Sequence, residues 1–339
     1  MTAIDASVVV CAYNRAGLLG GALASLAALR TGGRFRYEVV VVDNASTDDT
    51  ADVIAQAARE WPELVHGVYE PRRGVSCARN RGVREARGPW IAFFDDDQVA
   101  EPDWLLALLS GAEAVHARCL GGAVRLLLPG EALAALPAEC RTLLGESLGR
   151  NRRCRYGRKT APGTGNLLVH RSVFEQVGGF DESLREAGED TDLYRRIRQA
   201  GIEAWYLPEA VVRHVTPPYR LTAAYLRWRF LRFGSQLARR DRHEWGWVGF
   251  FGVLAARLVQ VAVQYLPRWL AAQLGRSPRR RLAARCPFWR AEGYFRFALA
   301  GLAPRRFAQR DFFATLDFRG ERELFDCGQT PAAQRVGTP

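Results

Sequence analysis

Ile91-Ala92-Phe93-Phe94-Asp95-Asp96-Asp97-Gln98 is an apolar run that stops at three consecutive carboxylates. Its apolar half reads as a buried strand, and alternation along an extended chain puts Asp95 and Asp97 on the same side. Three adjacent anions repel one another and solvate badly beside a hydrophobic strand. A positive group belongs there, most simply a hard divalent cation bound through oxygen. In an open α/β sheet, ligands bind at the carboxyl ends of the strands, which favours a site at this junction. The same residues also fit a solvated turn, where Asp is common.

Upstream, the pattern repeats. Residues 7–13 are a β-branched run followed by Asn14-Arg15-Ala16-Gly17, and Leu19, Leu23 and Leu26 then recur with helical spacing. Residues 38–42 read as a second strand ending at Asp43, with Ser46, Thr47 and Asp48 suited to capping the helix that follows. Residues 65–69 predict a third strand, 74–86 a helix, and 90–94 the strand that delivers the aspartates. Strands alternating with helices call for a parallel, doubly wound sheet, because each crossover covers a face. Downstream, residues 121–128 and 167–170 read as strands. Between them, residues 129–160 carry Pro129, Pro137, Gly145 and Gly149 and predict a flexible flap. Gly178-Gly179-Phe180-Asp181 and Gly188-Glu189-Asp190 precede a further helix, and a short strand ends at His214-Val215.

The 339 residues suffice for one large α/β domain and an appendage, and 48% hydrophobic with 25% charged is ordinary globular composition. Seven scattered cysteines lack the close pairs of zinc or redox sites, so reduced thiols in a cytoplasmic setting are expected. The first strand follows Met1 without a basic leader, so export is not expected. The net charge of +12 is concentrated: residues 220–310 hold 19 arginines against Asp241, Glu244 and Glu292.

These motifs, in this order, resemble the family 2 glycosyltransferases. The matching residues are 8–14, Asp43-Asn44-Ala45-Ser46-Thr47-Asp48, Ala78-Arg79-Asn80, Asp95-Asp96-Asp97, Gly165-Asn166, Gly178-Gly179-Phe180-Asp181 and Gly188-Glu189-Asp190, spread over roughly residues 5–216. The resemblance implies a GT-A type, Rossmann-like, mostly parallel sheet flanked by helices. It also implies inverting transfer of a sugar from a nucleotide-diphosphate sugar (UDP-, dTDP- or GDP-linked) to a hydroxyl on a glycan or lipid-linked saccharide.

By that resemblance Asp95, Asp97 and His214 hold Mn2+ or Mg2+, which stabilises the leaving diphosphate. Asp190, beside Glu189, is the general base. Asp43 and Ser46 meet the nucleotide, Arg79 the diphosphate, and Asp96 the ribose or the sugar. Asn44 departs from the Asp that many relatives carry, which leaves the nucleotide open. A catalytically silent nucleotide- or carbohydrate-binding protein on the same scaffold is the alternative. A dinucleotide oxidoreductase is disfavoured, because Tyr13-Asn14-Arg15 stands where a Gly-x-Gly-x-x-Gly turn is needed.

The division expected is a transferase domain over 1–219, in which residues 1–100 bind the nucleotide and residues 101–219 the acceptor. A basic aromatic helical region over 220–320 and a tail over 321–339 follow. Residues 247–266 are long enough to span a bilayer, but Arg257 lies within them and arginines flank both ends. A helix or hairpin lying on an anionic membrane, peripheral on the cytoplasmic face, is expected; a helical bundle is the competing reading. No recognition motif accompanies the charge, so nucleic acid is not an expected partner.

Overall fold

The computed structural model describes residues 3–158, 160–184 and 188–303. The expected tail over 321–339 lies outside these. In chain order the elements are β1 (Ala6–Ala12), α1 (Ala16–Ala27), β2 (Tyr37–Asp43), α2 (Thr50–Glu60), β3 (Val65–Tyr69), α3 (Val75–Glu85), β4 (Trp90–Asp95) and β5 (Gln98–Ala100). They continue with α4 (Trp104–Val115), β6 (Cys119–Leu127), α5 (Gly130–Ala135), α6 (Ala138–Leu143), β7 (Cys154–Arg155), β8 (Asn166–His170), α7 (Arg171–Val177), α8 (Glu189–Gln199) and β9 (Ala204–Val215). The helices α9 (Ala223–Gln260), α10 (Leu266–Leu274) and α11 (Pro278–Leu302) follow.

Among the described residues nine strands form one sheet, in the order β3-β2-β1-β4-β8-β6-β9-β5, with β7 on β9. The β3-β2-β1-β4 half is parallel, as the alternation of strands and helices predicts. Beyond β4 the sheet is mixed: β8 is antiparallel to β4 and β6, β9 is parallel to β6, and β5 is antiparallel to β9. The short strand expected before His214 is in fact the twelve-residue β9.

Valines of β1 and β2 are buried on both faces, the pattern of strands covered by helices on each side. Helix α3 packs tightly on β1 because residue 82 is glycine; a Cβ there would meet Val9 Cγ1 at 2.2 Å. That close approach fixes the height of Arg79, one turn earlier. Beyond β4, β6 and β9 lose register between Gly122 and Ala123. The buried Asn166 amide donates to the Ala123 and Ala210 carbonyls at 3.0 and 2.9 Å, and its oxygen accepts from Trp104 Nε1 at 2.8 Å. Carbonyls orphaned by the irregularity thereby regain donors.

The chain divides into two compact units, and the division differs from the contiguous one expected at residue 219. The sheet unit holds residues 3–127 and 149–215; the helical unit holds 128–148 and 216–303. Of the stretch expected to form a flap over 129–160, residues 129–148 group with the helical unit. Pro129 and Pro137 sit immediately before α5 and α6 and start helices instead of interrupting them, since a proline there forfeits no helical hydrogen bond.

In the helical unit α9 breaks at Gly246, whose φ is +61°. Its first half crosses α11 backbone to backbone: a Cβ on Gly234 would meet the Arg290 carbonyl oxygen at 2.0 Å, and one on Gly293 the Leu231 carbonyl oxygen at 2.0 Å. Arg257, charged inside an apolar stretch, pairs with Asp241 at 3.0 Å and lies over the Tyr294 ring. The opposite stripe is exposed, with Val248, Val259, Val263, Leu266, Leu270 and Leu274 recurring at helical spacing. By length and composition Ala223–Leu274 is the one helical stretch among the described residues apolar enough to cross a membrane. The described cysteines are free thiols, as expected.

Candidate active site

Two loops close over the end of β2. Asp43, its last residue, is buried and accepts from the Ser46 amide at 3.0 Å. Ser46 Oγ accepts from the Asn14 amide at 3.1 Å, and Asn14 Oδ1 from the Thr47 amide at 2.8 Å. Asp48 Oδ2 accepts from the Ala16 amide at 3.2 Å. The loops after β1 and β2 are thus hydrogen-bonded into one rim. Asn44 ties a third segment to this rim. Its amide donates to the Glu70 and Arg72 carbonyls at 3.1 and 2.8 Å, and its oxygen accepts from the Gly74 amide at 2.8 Å. An aspartate cannot donate to those carbonyls.

The three aspartates lie where expected, at the end of β4. Asp97 is within 3.3 Å of His214 Nε2 and 3.6 Å of Arg15 Nη2, while Arg15 Nε is 3.4 Å from Asp96. His214 reaches Asp97 because β9 pairs with β5, placing it opposite Gln98. Burial, and then repulsion from Asp97, push the Asp95 carboxyl above its ordinary range despite Arg79, His214 and Arg15. Burial pushes the neighbouring Cys11 thiol up to about 12, so it stays neutral.

Arg15 and Gln98 are the site residues that sequence reasoning missed. Gln98 Oε1 is buried without a donor among the described residues. Gly165 leaves room here, since a Cβ on it would come within 2.2 Å of Asp95 Oδ2 and 2.6 Å of Gln98 Nε2. Among the described residues no group of three His, Cys, Asp or Glu side chains converges closely enough to hold a metal by itself. Asp95 nevertheless lies within electrostatic range of both Asp97 and His214, and His214 and Asp97 are in direct contact.

Glu189 and Arg79 form a buried ion pair at 2.6 Å, and Arg79 also stacks on the Phe180 ring. Burial works against the Arg79 charge, but Asp95 and Glu189 hold its pKa above the ordinary value. Arg79 is therefore the electrostatic link between the β4 aspartates and the Gly-Glu-Asp turn. Next to it, Asn80 accepts from the Phe180 amide at 2.8 Å and donates to the Phe180 carbonyl at 2.9 Å, anchoring the segment that precedes α8.

Asp190 opens α8 and accepts from the Thr191 amide at 2.6 Å. Asp192 does not act on it as a bare like charge. Arg195 and Arg196 pair with Asp192 and lower its pKa against the effect of burial. Arg72 is occupied by Glu70 and Glu182 at 3.0 and 2.8 Å.

A mixed sheet whose parallel half ends in an aspartate cluster has the architecture of the GT-A type. The glycosyl transferase family 2 model matches residues 7–178, and a galactosyltransferase N-terminal domain model matches 148–219. The succinoglycan biosynthesis protein ExoM of Rhizobium meliloti is 31% identical over 241 residues, covering 68% of this chain and 73% of that protein. The glycosyltransferase AglE of Haloferax volcanii is 27% identical over 215 residues, covering 63% and 67%.

Among solved structures, the mannosyltransferase PcManGT of Pyrobaculum calidifontis, in complex with GDP-Man and Mn2+, aligns over 88% of each chain with a TM-score of 0.57 at 19% identity. GalNAc-T7 with UDP, GalNAc and Mn2+ aligns over 70% of this chain and 51% of that one, with a TM-score of 0.53 at 16% identity. The chain belongs to glycosyl transferase family 2 and is a glycosyltransferase. The catalytically silent alternative is set aside.

Proposed function

We propose that this enzyme transfers a sugar from a nucleotide-diphosphate sugar to a hydroxyl of a glycan or lipid-linked saccharide, with inversion, in polysaccharide synthesis. Asp43 and Ser46 receive the nucleotide (UDP, dTDP or GDP), and Asp96 faces its ribose or sugar. Asp95, Asp97 and His214 would hold Mn2+ or Mg2+. When bound, the ion supplies Lewis-acid stabilisation of the leaving diphosphate. Solved relatives that carry Mn2+ favour this reading.

Asp190 takes the acceptor proton as the hydroxyl oxygen attacks the anomeric carbon. The bond to the diphosphate oxygen breaks on the opposite face, and its electron pair leaves with the diphosphate. Glu189, engaged by Arg79, positions Asp190 and leaves it the base. Arg79 is a positioning residue that approaches the diphosphate from the same side.

The observation that favours this reading most is the Arg79–Glu189 ion pair, with Asp95 among the charges that act on Arg79. Asp190→Asn is expected to lower kcat about a hundredfold or more while nucleotide affinity holds. Asp97→Ala is expected to lose metal-dependent donor binding. Full turnover in either variant removes that residue's role.

The exposed apolar stripe and the surrounding arginines favour a peripheral position on the cytoplasmic face of an anionic membrane. Sedimentation of the full chain with phosphatidylglycerol vesicles, and its absence with phosphatidylcholine, is the expected behaviour.

A further inference from the structure

The helical unit forms a half-open cavity of about 760 Å³, bordered by α6, α9, α10 and α11. Four arginines border it: Arg229, Arg232, Arg268 and Arg290. Glu139 is the only carboxylate among its described lining residues, so the wall is strongly cationic. Phe230, Phe233 and Pro287 supply apolar surface to the same wall, beside the uncharged Thr142, Gln236, Gln260 and Gln264.

The arginines are also poorly compensated. Arg229 Nη2 donates to the Leu143 carbonyl at 3.4 Å, and its Nε is buried without an acceptor among the described residues. Burial, with Arg232 and Arg220 nearby, pushes its pKa below the usual arginine range. Arg232 lies over the Trp228 ring, and Arg290 donates to Tyr265 Oη at 3.2 Å. Among the described residues neither has a carboxylate partner. A recessed cation facing other cations is costly unless an anion joins it.

We propose that this cavity binds the phosphate end of an anionic amphiphile. The guanidinium groups take the phosphate oxygens, a geometry that arginine suits. Phe230, Phe233 and Pro287 take the first carbons of the chain. The site is separate from the sheet unit's aspartates and does not depend on the transferase chemistry assigned to them.

Calorimetric titration of the full chain tests it, with decyl phosphate below its micellar concentration, inorganic phosphate and decyl maltoside as probes. The expected result is one saturable site for decyl phosphate, at least about tenfold tighter than for either other probe. Arg232→Gln with Arg268→Gln weakens it at least about tenfold. Arg279→Gln with Arg280→Gln, exposed arginines outside the cavity, leaves it unchanged.

Equal affinity for inorganic phosphate overturns the amphiphile assignment in favour of a free anion. Equal affinity for decyl maltoside, or equal loss in both double variants, overturns the site. If the cavity double variant melts early, Arg268→Gln alone carries the test, because Arg268 is exposed and has no partner among the described residues. A chain that ignores phosphatidylglycerol vesicles yet binds decyl phosphate fails the membrane-surface reading and keeps the cavity.

Discussion

At the rim of the sheet Asp97 stands between Arg15 and His214, while in the helical unit Arg229 faces Arg232 and Arg220 with a single carbonyl to donate to. The first region gathers carboxylates on backbone fixed by strand pairing and side-chain clamps. The second gathers guanidinium groups on long side chains projecting from helices. The first sets its carboxylates against the protein's own cations, Arg15, Arg79 and His214, whereas the second crowds four arginines around one carboxylate, and like charge crowded in that way marks a place where a ligand completes the balance. They differ in tolerance: hydrogen bonds of one geometry fix the sheet rim, whereas helix side chains can swing.

The largest effect expected from breaking this contrast falls on the one place where the helical unit does compensate its charge. Asp241 is buried, and although burial raises its pKa, hydrogen bonds from Arg257, Arg240 and Tyr294 bring it below the ordinary 3.8. Its contribution is complete above 3.8 and is lost as pH falls through the lower folded value. Asp241→Asn therefore costs about 3 kcal/mol at pH 7, and the gap to wild type closes in acid. Melting curves between pH 7 and pH 3 read both; a gap independent of pH contradicts the assignment.

A smaller effect belongs to the sheet rim. Asn44→Asp sets a carboxylate against the Glu70 and Arg72 carbonyls and is expected to cost about 1–3 kcal/mol, with weakened donor binding, in denaturant titration. Unchanged stability would mean the rim relaxes more easily than its hydrogen bonds imply.

The smallest effect sharpens the comparison from outside. Val263→Ser, on the exposed stripe, is expected to move stability by less than about 0.5 kcal/mol and yet reduce sedimentation with phosphatidylglycerol vesicles. Reduced stability with unchanged sedimentation would assign the stripe to packing instead.

Much of the sheet unit was legible because its signals are local. An apolar run ending in Asp95-Asp96-Asp97 needs only a few residues to be read, and His214 followed from resemblance. Arg15 was not legible: it meets Asp96 and Asp97 from some eighty positions away, and nothing in Tyr13-Asn14-Arg15 encodes that partner. Gln98 was hidden by its short strand, whose pairing with β9 is long-range. The helical unit was least legible. Grouping of 128–148 with the C-terminal helices depends on contacts across much of the chain, and Pro129 and Pro137 start helices as readily as they end them. Arg257 reads as a cost of insertion in the sequence, and only the fold brings Asp241 beside it.

The Asn166 clamp bears on how much sequence change this half of the sheet tolerates. A single amide spans two strands and an indole at the spot where the β6–β9 ladder slips, so losing that side chain would strip a partner from two carbonyls and one buried N–H at once. Anyone grafting a foreign recognition loop into this half should treat position 166 as a fixed rivet and vary everything beyond it.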